Sequence, residues 1–233
     1  VKFCLNCGEA LGISCPECGY LSLATAKFCD SCGRPLGKRA ESQKVDYGQP
    51  VSYMPKTLAD KILTARGSIE GERKLVSVVF IDVANYTSIS EKLDPEEIHH
   101  IMDQCFKLLM DAIHRYEGTI TQFTGDGVMA LFGAPIAHED HGQRAGYAAL
   151  AIREAMKDFS TKVRTDFGVE FAIRTGINSG LVIVGSIGDD LCMDYTALGD
   201  TTNMASRMET MASPGSILVS KDTFKLIREF FQF

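Results

Sequence analysis

From residue 73 onward, apolar and polar residues follow an order that few folds accommodate: strand, helix, strand, strand, helix, strand. The first strand, KLVSVVFIDV (74–83), is β-branched and apolar along almost its whole length, which reads as a buried strand. Asp94-Pro95-Glu96-Glu97 starts a helix, with an N-cap residue, a proline at the first helical position and acids in the first turn. Apolar residues recur at Ile98, Ile101, Met102, Cys105, Leu108, Leu109, Ala112 and Ile113, and the helix stops by Gly118. TITQFTGDGVMALFG (119–133) sets two apolar runs around Gly125-Asp126-Gly127, a hairpin signal. A second long helix is expected from about Glu139 to about Asp166, with Tyr147, Ala151, Ile152, Ala155 and Phe159 on one face. Strands are expected near 169–177, 181–185 and 193–198, a helix near 201–212, a strand at 216–220 and a helix from about 222.

This order predicts an α/β (α+β) fold with a ferredoxin-like, palm-type antiparallel sheet. In such a sheet the third strand runs antiparallel between the first two. The turn carrying Asp126 then falls beside the carboxyl end of the first strand, where Asp82 stands. Taken singly, Asp126 reads as a turn former and Asp82 as a cap for the next helix. A charge closing an apolar strand is costly unless it is paired or metal-bound. Together the two form an oxygen site suited to Mg²⁺ or Mn²⁺, of the kind used in two-metal phosphoryl and nucleotidyl transfer. The flanking glycines, Gly125 and Gly127, let phosphates approach the backbone closely.

Six of the eight cysteines lie in the first 32 residues as CxxC pairs: Cys4/Cys7, Cys15/Cys18 and Cys29/Cys32. Such spacing lets two thiolates reach one tetrahedral Zn²⁺. KFCLNCGEALG (2–12) and KFCDSCGRPLG (27–37) share seven of eleven positions at an offset of 25 residues. In the second copy the partner pair is CPECG (15–19), so Cys15, Cys18, Cys29 and Cys32 make one four-cysteine site. Cys4 and Cys7 would then be the second half of an earlier site, and the chain would begin inside a double zinc ribbon. The rival pairing joins Cys4/Cys7 to Cys15/Cys18. Cys105 and Cys192 read as small buried apolar residues.

The 233 residues, 45% of them apolar, hold one good-sized domain and a small module. Expected boundaries are a zinc ribbon at 1–37, a linker with a short helix at 38–72, and the main domain at 73–233. The net charge of −6 speaks against general nucleic-acid binding. No apolar run is long enough for a bilayer and no signal-peptide pattern opens the chain, so a cytoplasmic protein with no membrane partner is expected. No GxxxxGK phosphate loop occurs. HEDH (138–141) reads as a helix start, with Glu139 and Asp140 favoured by the dipole, rather than as a metal site.

FIDVANYTSISE (80–91), TGDGVMALFGAPIAHEDH (124–141), RTGINSGLVIVG (174–185) and DYTALGDTTNMASRME (194–209) together resemble the class III nucleotidyl cyclases, over about residues 73–233. The nearest likeness is to the bacterial subfamily related to soluble, bicarbonate-responsive adenylyl cyclase, often with zinc ribbons in front and an ATPase region behind. The resemblance implies conversion of ATP to 3′,5′-cyclic AMP and pyrophosphate by a homodimer with shared sites. It implies that Asp82 and Asp126, with the Ile81 carbonyl, hold two Mg²⁺ or Mn²⁺ ions. The loop from Val83 through Tyr86 to Thr87 would cradle the β- and γ-phosphates, and Arg174 would contact the triphosphate. Asn203 and Arg207, four apart on one helical face, would act from the opposite subunit on the ribose and the α-phosphate. The base-selecting positions fall on Gln122 and Thr196. Thr196 fits the bicarbonate-responsive subclass, whereas Gln122 replaces the usual lysine of adenylyl cyclases and glutamate of guanylyl cyclases. An amide is both donor and acceptor, so adenine is the expected base and guanine the alternative. A degenerate cyclase domain serving dimerisation or sensing is the non-enzymatic alternative. Family domains continue past the last helix, so this chain is expected to be cut at both ends and weak or inactive alone.

Overall fold

The structure is a computed structural model that describes residues 72–184 and 200–233, together with 12–14, 18, 21–23, 29, 31 and 32. The chain divides into two compact units, Val1–Val45 and Asp46–Phe233. The expected linker helix, Cys4, Cys7, Cys15, Cys192, Thr196 and the strand near 193–198 lie outside the described residues.

In the first unit, β1 (Gly12–Ser14) and β2 (Leu21–Leu23) pair antiparallel, Gly12 opposite Leu23 and Ser14 opposite Leu21.

The second unit is built on a five-stranded sheet of order β4-β5-β3-β6-β7. Its strands are β3 (Glu72–Val83), β4 (Thr119–Phe123), β5 (Gly127–Phe132), β6 (Ile173–Val184) and β7 (Ile217–Val219). Strand β3 is central, antiparallel to β5 on one side and β6 on the other, and β7 runs parallel to β6. The third strand of the main domain therefore lies between the first two, as the ferredoxin-like order requires. Among the described residues, helices α1 (Tyr86–Ser90), α2 (Pro95–Arg115), α3 (His141–Phe167), α4 (Asp200–Met211) and α5 (Lys221–Ile227) accompany the sheet.

Strand β3 reads as largely apolar from Val76 to Ile81 because both its faces are covered there. Val76, Val78 and Phe80 pack in one cluster with Met129, Leu131, Val182 and Ala205 of α4. Ser77, on the opposite face, meets α3, its Oγ lying 2.9 Å from His141 Nδ1. Ser77 also bonds Ser179 Oγ at 2.6 Å, and Ser179 bonds Thr223 Oγ1 at 3.0 Å. This buried polar chain links α3, β3, β6 and α5, and burial keeps His141 on the neutral side by lowering its pKa.

Helix α2 starts as its sequence predicts. Pro95 is at the first position, and the Asp94 backbone N–H donates to the Glu97 carboxylate at 3.1 Å. Helix α3 starts two residues later than expected, so Glu139 and Asp140 precede its first turn. Asp140 is the N-cap residue but pairs with Arg144 at 2.7 Å, and Arg144 pairs with Glu117 at 3.0 Å. Its buried stripe is Ala145, Ala148, Ala149, Ile152, Met156, Phe159 and Val163. Tyr147, expected on that face, is exposed and stacks on Tyr116. The strands expected at 169–177 and 181–185 are one strand, β6, paired along its whole length with β3. NSG (178–180) does not turn, because its polar groups serve the packing. Asn178 Nδ2 donates to Thr201 O at 2.8 Å, Ser179 joins the buried chain, and Gly180 leaves room for Thr201.

Candidate functional site

Strand β3 delivers Asp82 to the rim of the sheet, opposite Gly127 of β5 and Arg174 of β6. The hairpin approaches so closely that a Cβ on Gly127 would lie 2.6 Å from Ile81 O and 2.9 Å from Asp82 Oδ1. Only glycine fits, and its absent side chain is what brings Asp126 against Asp82. The Asp126 pKa is raised, first by burial and next by the charge of Asp82 and a hydrogen bond with it. Arg174 Nη2 donates to Asp82 Oδ2 at 2.9 Å.

A third carboxylate completes the group. Glu209 of α4 is 8% exposed and places Oε1 3.1 Å from Arg174 Nε. This is ion-pair distance without hydrogen-bond alignment, and both atoms are otherwise unpartnered. Burial raises the Glu209 pKa; Arg174 opposes that shift, while Asp82 and Asp126 add to it. Sequence reasoning passed over Glu209. The signal was a glutamate at helical spacing from Ala205 and Ala212, on the face that packs against the sheet.

The oxygen-only donor set of Asp82, Asp126 and the Ile81 carbonyl suits a hard divalent cation such as Mg²⁺ or Mn²⁺. Their mutual repulsion, with one guanidinium facing three carboxyls among the described residues, is the electrostatic condition under which a cation binds well. Asp82 does not cap α1, whose N-cap residue is Asn85. The segment that follows Asp82 begins with buried Val83 and passes through half-buried Tyr86 to exposed Thr87. Gly125, at φ +88°, and Asp126 form the hairpin turn, with Gln122 exposed on β4 just past a bulge. Asn203 and Arg207 do not join the carboxylate group. They are exposed on the side of α4 opposite Ala205 and Glu209.

The Asp126 shift has a sign that can be checked. A carboxyl whose folded pKa lies above its unfolded value adds stability at low pH and loses it as pH rises through the folded pKa. In the presence of chelator, Asp126→Asn is therefore expected to melt above the unsubstituted chain at neutral pH, by at most about 3 °C. The gap should close on acidification, as scanning calorimetry at mildly acidic and neutral pH would show.

In the first unit, the Sγ atoms of Cys18, Cys29 and Cys32 lie within 4.8 Å of one another, with Cys18 and Cys29 3.6 Å apart. Burial opposes ionisation of Cys29. Hydrogen bonds from the backbone at Cys32 and Ser31, and from the thiols of Cys18 and Cys32, outweigh it and bring the pKa to about 6. Three converging soft donors fit Zn²⁺ and bring Cys18 together with Cys29 and Cys32. Cys29→Ser is expected to abolish tight zinc retention by this cluster, read as metal content per chain. Cys105 is fully buried, with a pKa pushed up to about 12 by burial, and is inert packing.

Among the described residues no helix is long and apolar enough to cross a membrane. Residues 70–233 match the family described as adenylate and guanylate cyclase catalytic domain, and residues 1–33 match the double zinc ribbon. Adenylate cyclase 1 of Rhizobium meliloti is 38% identical over 68% of this chain, which spans only 24% of that relative. The crystal structure of the adenylyl cyclase CyaB from P. aeruginosa has a TM-score of 0.66 and 34% identity, covering 70% of this chain and 85% of that one. The catalytic core of a rhodopsin-guanylyl cyclase with converted specificity, in complex with ATPalphaS, has a TM-score of 0.62 and 32% identity, covering 70% of this chain and 86% of that one. The chain belongs to the adenylate and guanylate cyclase catalytic-domain family and carries a double zinc ribbon ahead of that domain.

Proposed function

We propose that the 73–233 domain is an adenylate cyclase, converting ATP to 3′,5′-cyclic AMP and pyrophosphate, and that it works as a homodimer. The observation that carries this reading is the strand-rim position of Asp82 opposite Gly127, next to Asp126 in the turn, with Arg174 bonded to Asp82. Asp82, Asp126 and the Ile81 carbonyl would hold two Mg²⁺ or Mn²⁺ ions. When bound, the ions supply charge that acidifies the ribose 3′-hydroxyl and offsets the triphosphate. The 3′-hydroxyl gives up its proton to solvent water as its oxygen attacks the α-phosphorus in line, the bond to the β-phosphate oxygen breaks, and pyrophosphate leaves with the electron pair.

The protein's own groups bind and orient. The Val83–Thr87 segment, Tyr86 included, cradles the terminal phosphates beside Gly125. Arg174 turns one guanidinium edge from Asp82 to the triphosphate. Asn203 and Arg207 are exposed on α4, free of their own carboxylate group, and this supports their serving the site of a second copy. There Asn203 orients the ribose and Arg207 stabilises charge on the α-phosphate. Gln122 and Thr196 read the base.

The test incubates the chain with ATP or GTP and Mn²⁺ and chromatographs the products beside an Asp82→Ala control. Cyclic AMP at a low rate from the unsubstituted chain, in keeping with the weak activity expected of it, and none from the control is the expected result. Equal product from the control defeats the mechanism, and cyclic GMP as the main product overturns only the base assignment.

A further inference from the structure

Arg174 is held from two sides, by Asp82 at Nη2 and by Glu209 near Nε. A carboxylate as buried as Glu209 is costly unless a cation faces it. Its position is set by backbone rather than by a flexible side chain. Helix α4 lies so close to β6 that a Cβ on Gly176 would stand 2.1 Å from Glu209 N and 2.5 Å from Ala205 O. The carboxylate is thus presented to Arg174 from a fixed point.

We propose that Glu209 is a positioning residue for Arg174, sharing its guanidinium with Asp82 and so leaving the Asp82–Asp126 pair open to a divalent cation. The proposal rests on the reading of Asp82 and Asp126 as metal ligands. Without the Glu209 charge, the whole guanidinium charge falls on Asp82 and competes with an incoming cation. With it, Nε stays anchored while Nη2 lets go. Imperfect alignment at Nε is what a contact looks like when it tightens only after its partner rearranges. Because α4 also carries Asn203 and Arg207, the same carboxylate fastens the helix that serves one site to the arginine of another.

The test is a double-mutant cycle on the full chain: unsubstituted, Glu209→Gln, Arg174→Ala and the double variant. Each is titrated with Mn²⁺ alone, free Mn²⁺ being read by electron paramagnetic resonance, and melted in parallel. Glu209→Gln is expected to weaken Mn²⁺ binding about three- to tenfold where Arg174 is present, and less than about twofold in the Arg174→Ala background. Equal weakening in both backgrounds overturns the proposal, because Glu209 would then act by its own charge or through the fold. If Glu209→Gln melts far below the unsubstituted chain, Glu209→Asp, which keeps the charge and shortens the reach, replaces it under the same criterion. Absence of Mn²⁺ uptake by the unsubstituted chain overturns both the proposal and the ligand assignment. Coupled Mn²⁺ uptake without cyclic nucleotide overturns the cyclase reading alone.

Discussion

Asp82→Asn is expected to lower cyclic-nucleotide formation by roughly a hundred- to a thousandfold while leaving the fold intact. The amide matches the carboxylate in shape, and its oxygen can still accept the 2.9 Å hydrogen bond from Arg174. Packing around the strand end is therefore preserved, and what is lost is charge. Asp126 alone, with one backbone carbonyl, is a poor ligand set for two hard cations that ask for several anionic oxygens. Mn²⁺-dependent turnover should collapse with circular dichroism and melting temperature near those of the unsubstituted chain. Turnover at the unsubstituted rate would remove Asp82 from the mechanism.

Gly176→Ala is expected to destabilise the second unit by about 2–3 kcal/mol, lowering its melting temperature by roughly 5–10 °C. The added methyl would meet Glu209 N at 2.1 Å, Ala205 O at 2.5 Å and Glu209 Cα at 2.7 Å, all of them main-chain atoms that no rotamer change can clear. Helix α4 must lift from the sheet, opening the cluster around Ala205 and drawing Glu209 from Arg174. Gly180→Ala makes the comparison, since its nearest neighbour is Thr201 Oγ1 at 2.7 Å, a side chain that can rotate. Its effect should be clearly the smaller. Equal melting of the two variants would show that the close helix approach carries no stability.

These contrasts indicate which parts of the molecule were legible in the residues. Strand β3 and helix α2 were, because burial on both faces leaves a continuous apolar run and a capping box marks a helix start locally. The meeting of Asp82 with Asp126 followed from topology, which a strand–helix–strand–strand order nearly dictates. Strand β6 was misread because Asn178, Ser179 and Gly180 look like a turn when their partners, Thr201, Ser77 and Thr223, are out of view. The face of α3 was misjudged because Tyr147 was counted as core. Close packing there is done by alanines, and the ring rests on Tyr116 and Phe231 at the margin. Glu209 was legible only as a glutamate on the packing face of α4, because what faces it, Arg174, sits on a strand remote in sequence. A local pattern can mark such a side chain as buried but not name its long-range partner.

The borders of the sheet have a bearing on assembly. Among the described residues, one outer strand, β4, is broken by a bulge between Ile120 and Gln122, and the other, β7, is only three residues long. Neither offers a long regular row of amides for an incoming chain to zip onto. At these two borders the proposed homodimer would be recognised by side-chain fit rather than by strand pairing, so a few surface substitutions would abolish it without unfolding either copy.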